Sequence, residues 1–329
     1  MTVSDSDCRR SEPASTVADR APRIWALWAA ARPSHLALIV LVYTLGVGMA
    51  TAGPPLIASG SFAAPVVTEP AAFLEPVLVG AIALIPVSVT IHYANEYVDV
   101  ETDARTVRTP FSGGSGALDR TDLPPSFLRS AMIASFVLTV LAFGGVAALG
   151  LPWDALGILV SILVLGLAYS LSPFVLVRRG VGEFVNAALG GLLLPLYGIA
   201  VVATPRPVAT LAVVPFALVV GCNLLATHWP DRNADAAVGK RTLVVRWSPA
   251  SIRRAYVGLA ITALVVAFGL WRGGIFPDAV ALAHLAPVPL LLWGGIVLTR
   301  QRSPLPSVAA MVALATSATI SWWWVGIVA

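Results

Sequence analysis

Asn95, Asp99 and Asp103 stand at i, i+4 and i+8 of one stretch, and Asn223, Thr227, Asp231 and Asp235 repeat that spacing later in the chain. On a helix each set shares one face. Carboxylates four apart on a helix repel each other, and an Asp at membrane depth costs about 2.5–3.5 kcal/mol. Either set alone reads equally well as helix-end charge in a solvated loop, but two matching sets call for a counter-charge. Mg²⁺ answers to that, because it takes oxygen ligands, holds one or two carboxylates and completes its shell with water and phosphate oxygens. Two facing stripes then clamp a diphosphate, with Arg105, Arg108, Lys240 and Arg241 as candidate contacts to the remaining phosphate oxygens. Glu96 and Glu101 fall off the stripe and are expected to be solvated.

The elements that must position these residues are membrane spans. Of 329 residues, 57% are apolar and only 12% are charged, against about 25% charged in a soluble domain. The chain is also too apolar for disorder. Nine segments carry the roughly 20 apolar residues of a spanning helix: 34–53, 73–95, 127–149, 153–171, 182–203, 208–229, 252–271, 277–299 and 305–327. None alternates like a barrel strand, so the expected fold is all-α, a nine-helix bundle with an active-site cap on its cytoplasmic side. With a cytoplasmic N-terminus, nineteen of the 21 basic residues fall in inside segments and only Arg206 and Arg272 outside. This is the asymmetry of the positive-inside rule. It places the chain in the plasma membrane with its C-terminus outside. The net charge of +4, built from arginine with Lys240 as the one lysine, therefore reads as loop asymmetry and not as nucleic-acid binding.

Residues 1–30 read as a polar tail and a Trp-rich interfacial segment, and 31–329 as the nine-helix domain. Ala50-Thr51-Ala52 looks like a signal-peptidase site, but thirty-odd residues precede the first apolar run, too many for a signal peptide. Cys8 and Cys222 form no disulfide framework. Two inside loops, 96–126 and 230–251, are long and charged, and long loops in compact proteins tend to be functional or disordered. They follow the second and sixth spans, four helices apart, suggesting two four-helix modules in parallel repeat plus a ninth helix. An apolar bundle behind a diphosphate clamp suits a hydrocarbon tail, and headgroup and tail together describe a prenyl diphosphate.

With these residues in place the chain resembles the UbiA superfamily of intramembrane prenyltransferases. Asn95 to Asp103 is similar to the family's NDxxDxxxD, with Glu96 where Asp is usual. Asp231-Arg-Asn-Ala-Asp235-Ala-Ala-Val-Gly239-Lys240-Arg241-Thr242-Leu243 is similar to DxxxDxxxGKxTL. Tyr169-Ser170-Leu171-Ser172-Pro173 and Arg178-Arg179-Gly180-Val181-Gly182-Glu183 resemble the family's connection between spans four and five. The resemblance implies that Asn95, Asp99, Asp103, Asp231 and Asp235 hold Mg²⁺ and diphosphate, with Lys240 and Arg108 as phosphate contacts. The Tyr169 ring then either steadies an allylic cation or anchors the helix at the interface. Arg108-Thr-Pro-Phe-Ser112-Gly113-Gly114-Ser115-Gly116 resembles the dihydroxynaphthoate (menaquinone-pathway) branch more than the hydroxybenzoate one. That Gly/Ser run reads either as a backbone phosphate cradle or as a flexible loop.

His228 is either a proton acceptor for the second substrate or a hydrogen-bonded helix-end histidine. His92 and the intramembrane Asn186 and Asn223 are cavity-lining candidates. Trp322-Trp323-Trp324 reads as an interfacial belt, and His35 and His284 carry no signal. The expected function is Mg²⁺-dependent transfer of a polyprenyl group from its diphosphate to an aromatic quinone precursor such as dihydroxynaphthoate. Asp99, Asp231, Tyr169 and Lys240 are its catalytic core, and no obligate protein partner is evident. Ether-lipid and carotenoid acceptors use the same chemistry, and a cation-coupled secondary transporter is the alternative of another class.

Overall fold

The computed structural model describes residues 17–53, 55–58, 69–106 and 113–328, and is all-helical, with no strand among them beyond one isolated bridge between Ile57 and Pro205. Nine helices among the described residues are long and apolar enough to cross a membrane. An N-terminal helix α1 (Pro22–Ala30) leads through a bend into α2 (Pro33–Thr51). Then come α3 (Pro70–Asp103), α4 (Pro125–Ala148), α5 (Trp153–Ser170), α6 (Gly182–Val202), α7 (Pro207–His228), α8 (Pro249–Arg272), α9 (Asp278–Val297) and α10 (Leu305–Val328).

The nine expected segments each coincide with one of these spans, with two extensions. Helix α1 continues the first span backwards: its Ala26, Ala29 and Ala30 are buried against Tyr93, Ala117 and Leu128, where small side chains allow close approach. Helix α3 does not stop with its apolar run but continues to Asp103, so the whole first stripe rides on one rigid helix. The second set is differently built. Helix α7 ends at His228, and a turn containing Pro230, which has no N–H to donate, precedes the short helix Arg232–Ala237. Asn223 and Thr227 thus belong to the span, whereas Asp231 and Asp235 belong to the turn and the helix after it.

Helix α3 packs along α4 and α7 along α8, while α2 is flanked by α6 and α10. Away from the acidic end, Gly46 of α2 and Gly198 of α6 bring the two backbones so close that a Cβ on either would collide with the other helix. Tyr43 and Tyr197, both buried there, donate their hydroxyls to the Val77 and Gly80 carbonyls of α3 at 2.8 Å each.

The tryptophan run is not a uniform interfacial belt. Trp322 is buried edge-on against Phe276, and Trp323 donates its indole N–H to the Thr44 carbonyl at 2.9 Å; only Trp324 is exposed. A three-residue run on a helix spreads over about 200°, more than half the circumference, so at least one member must face inward.

Candidate active site

The opposite half of the bundle holds a cavity of about 380 Å³. Its deep walls are apolar: Val42 from α2, Leu84 from α3, Ile162 from α5, Phe216 from α7 and Met311 from α10. Its mouth is polar. Asn95, Asp99 and Asp103 enter from α3, and Asn223, Thr227, His228, Asp231 and Asp235 from α7 and the segment after it. The two sets that sequence spacing paired therefore line one cavity from two walls.

Lys240 joins the two walls. Its Nζ lies 2.8 Å from Asp99 Oδ1 and 3.3 Å from Asp235 Oδ1, with all three side chains less than one-fifth exposed. Burial alone lowers a lysine, but the Asp99 and Asp235 carboxylates outweigh it and raise Lys240 above its ordinary range. Asp235 is raised by burial, with Lys240 and His228 pulling the other way. Geometry and backbone agree, since the Lys240 N–H donates to the Asp235 carbonyl at 2.9 Å.

The Tyr-Ser and Gly-Glu segments hold these walls. Ser170 donates to Asn95 Oδ1 at 3.1 Å, tying α5 to the first stripe, and Tyr169 beside it lines the cavity. Glu183 is buried and accepts the Leu243 N–H at 2.5 Å, pinning the loop that carries Lys240. The same carboxylate lies 3.5 Å from His228 Nδ1, so the histidine turns one side to Glu183 while lining the cavity.

Several expected residues stand elsewhere. Arg105 lies outside the cavity, half-exposed, paired at 2.7 Å with Glu101 one helical turn back. Arg241 is exposed and does not line the cavity either. Arg108 and Ser112 fall outside the described residues. The expectation that Glu96 is solvated is overturned: it is 5% exposed and carries a network. Its Oε1 accepts from Arg32 Nε at 2.8 Å and Nη2 at 2.5 Å, and its Oε2 from Ser115 Oγ at 2.6 Å. Two parts distant in sequence, the α1–α2 bend and the loop after α3, fold over that side of α3 and bury it. Gly113 and Gly114 of that loop line the mouth. Gly114 has φ +70° and packs against Asp103, whose carboxylate a Cβ would strike. Arg32, His35 and Thr242 also line the cavity. The Arg-Pro that opens α2 was the one sequence signal for Arg32, because a basic residue beside a helix start is misplaced with respect to the helix dipole.

Among the described residues no three His, Cys, Asp or Glu side chains gather closely enough to hold a metal unaided. The donor set nonetheless fits a hard cation that needs only one or two carboxylates, the rest of its shell being water and phosphate. Oxygen ligands approach from both walls, and Asn223 Oδ1 and Thr242 Oγ1 are buried without a hydrogen-bond partner, as donor atoms awaiting a ligand are.

No curated protein matches the chain in sequence. Among solved structures it is similar to a UbiA homolog from Archaeoglobus fulgidus bound to DMAPP and Mg²⁺, with TM-score 0.64 at 12% identity over 92% of this chain and 99% of that one. A digeranylgeranylglyceryl phosphate synthase is similar at TM-score 0.61 and 13% identity, over 93% of this chain and 99% of that one. At such identity these likenesses speak for the fold. The model of the UbiA prenyltransferase family matches residues 53–318, a stretch holding both acidic stripes, the second to eighth spans whole and the first part of the ninth. The chain belongs to the UbiA prenyltransferase family and is a prenyltransferase.

Proposed function

We propose that this enzyme transfers a polyprenyl group from a prenyl diphosphate to an aromatic quinone precursor, with dihydroxynaphthoate as the leading acceptor, in a Mg²⁺-dependent reaction. The observation that carries the reading is the meeting of two carboxylate walls over the mouth of an apolar cavity, with Lys240 between them. Asn95, Asp99, Asp103, Asp231 and Asp235 would hold the metal and the diphosphate. Bound there, Mg²⁺ supplies charge stabilisation for the departing diphosphate. The A. fulgidus homolog, bound to a prenyl diphosphate and Mg²⁺, makes the same ligand chemistry reasonable for this fold.

The chain's own groups do the rest. Lys240, already desolvated, offers a fixed ammonium to a phosphate oxygen as C–O cleavage builds charge there. The apolar walls at Val42, Leu84 and Phe216 receive the hydrocarbon and keep water from the allylic cation. Tyr169 presents a ring at the junction of headgroup and tail, where a cation–π contact steadies positive charge. His228, oriented by Glu183, faces the same space and contacts the second substrate. Arg108 remains a candidate phosphate contact. Membership of a family of prenyltransferases sets aside a transporter, and the ether-lipid and carotenoid acceptors become arms of the test.

The arginine distribution supports a cytoplasmic mouth in the plasma membrane, with the N-terminus inside and the C-terminus outside. Cysteines introduced one at a time by Ser303→Cys and Asp278→Cys, in a Cys8→Ser background whose remaining Cys222 is buried, are expected to react with impermeant thiol reagents from opposite faces. Reaction from the same face would overturn the topology.

The deciding experiment uses detergent-purified protein with Mg²⁺ and geranylgeranyl diphosphate. Dihydroxynaphthoate, hydroxybenzoate and geranylgeranylglyceryl phosphate are offered in parallel and products read by mass. Prenylated naphthoate is the expected product. A product from another acceptor keeps the chemistry and moves the pathway; Mg²⁺-dependent diphosphate release without product points to a carotenoid or other acceptor.

A further inference from the structure

The Arg32–Glu96–Ser115 network has a bearing on the acidic wall beside it. Among the described residues only two lysine or arginine side chains line the cavity, Lys240 and Arg32. Lys240 is held by the carboxylates of both walls. Arg32, three-quarters buried, is held instead by Glu96, through two N–H groups on a single carboxylate oxygen. Its guanidinium also interacts electrostatically with Asp103 and Asp99, the carboxylates about two turns and one turn further along the same helix.

The backbone fixes where this arginine starts. Arg32 sits at the α1–α2 bend with φ 52° and ψ 69°, a left-handed conformation uncommon for a non-glycine residue. Its carbonyl accepts the His35 and Leu36 N–H groups at 2.9 and 3.1 Å. The Cα is thus pinned, and only the side chain chooses among carboxylates. The choice is settled by Glu96, whose other oxygen is locked by Ser115 Oγ, itself accepting the Ala117 N–H at 3.1 Å. A guanidinium seeks planar, bidentate carboxylate partners. With Glu96 uncharged, the carboxylates that already attract it, Asp103 and Asp99, are the partners left on its own wall.

We propose that Glu96 is a positioning residue that keeps the Arg32 guanidinium in the cavity wall and off Asp99 and Asp103, leaving those carboxylates for the metal–diphosphate headgroup. This rests on the Mg²⁺–prenyl diphosphate reading of the site. Glutamate, one methylene longer than aspartate, is the residue that spans from α3 to both Arg32 and Ser115.

The test is thermal unfolding of detergent-purified protein, titrated with MgCl₂ at saturating geranyl diphosphate. The wild type is expected to gain stability with Mg²⁺. Glu96→Gln keeps the shape and an oxygen for Ser115 but lets Arg32 go, and is expected to need about tenfold more Mg²⁺ for half the effect, equivalent to about 1.4 kcal/mol. Adding Arg32→Gln to Glu96→Gln is expected to return the requirement to near the wild-type value, which a merely structural role of Glu96 does not foresee. An unchanged requirement in Glu96→Gln, or a double variant no better than the single, overturns the proposal. Should Glu96→Gln fail to fold, the double variant decides alone, since it leaves neither charge buried without a partner: a near-wild-type requirement supports the proposal and a tenfold weaker one overturns it. No Mg²⁺-dependent gain in the wild type would instead overturn the reading of the site on which the proposal stands.

Discussion

Lys240 Nζ stands 2.8 Å from Asp99 Oδ1, on an acidic stripe from the far side of the cavity, while its own loop carries the second stripe. With Asp235 Oδ1 at 3.3 Å the ammonium is a buried counter-ion between like charges. Removing one partner of a buried ion pair costs about 3–5 kcal/mol. Lys240→Met is therefore expected to lower the unfolding midpoint of the ligand-free protein by several degrees and to abolish Mg²⁺-dependent diphosphate release, whereas Lys240→Arg keeps the fold. A Met variant as stable as the wild type in thermal unfolding would show that the ammonium does not hold the two walls together.

The pH dependence of stability follows from the same triad. Lys240 is raised above its ordinary value by Asp99 and Asp235, so its stabilisation is complete below that ordinary value and is lost only as pH rises through the raised one. Asp235 is raised by burial, with Lys240 opposing. Its folded state holds the proton more tightly than the unfolded one, so stability falls as pH rises between the two values. Lys240→Met removes the opposing pull and widens that window upward. Unfolding midpoints of the variant are expected to decline more steeply than those of the wild type as pH rises above the ordinary aspartate value, and parallel curves would contradict the assignment.

Asp99→Ala and Asp231→Ala remove one ligand from each wall. Both are expected to insert and fold while losing turnover by at least the 10²–10³-fold typical of deleting one transition-state contact. Near-normal diphosphate release by either variant would remove the clamp assignment.

How far the site was legible in sequence depended on the range of the contact. Spacing of 3.6 residues per turn put Asn95, Asp99 and Asp103 on one face, and α3 carries them so because it stays helical to Asp103. The spacing also contained the Glu101–Arg105 pair at i and i+4, which explains why Arg105 is spent at the surface and absent from the cavity. Glu96 was illegible by the same logic: its burial comes from Arg32 and Ser115, brought by a bend and a loop with no period of their own. In the second set, Pro230 breaks the helix, and the match survives because Asp231 and Asp235 still reach the cavity from the segment beyond.

Gly114 joins the loop after α3 to the first stripe. A side chain there meets both a φ of +70° and the Asp103 carboxylate. A left-handed non-glycine residue alone costs about 1–2 kcal/mol. Gly114→Ala is expected to raise the geranyl diphosphate concentration needed for half-maximal thermal stabilisation, because the loop must lift or Asp103 must turn away. Gly150→Ala has a comparable φ of +85° with open space around its Cβ and serves as control. It is expected to lose stability without losing donor affinity, and equal donor affinities in the two variants would sever the link between Gly114 and Asp103.

Tyr169 separates an electronic role from an anchoring one. It lines the cavity, beside the Ser170 that donates to Asn95 of the polar mouth. If the ring face steadies an allylic cation, the contact contributes about 2 kcal/mol when desolvated, or about thirtyfold in rate. Tyr169→Phe keeps the ring and is expected to stay close to the wild-type rate, because the faces of Phe and Tyr both attract a cation. Tyr169→Leu keeps an apolar side chain but lacks the ring, and is expected to lose about thirtyfold in kcat with little change in half-saturating donor, the signature of an interaction made only in the transition state. An anchoring role predicts a different pattern: lower stability for Leu, and equal kcat per folded molecule in both variants. Single-turnover diphosphate release, normalised to the folded fraction, distinguishes the two.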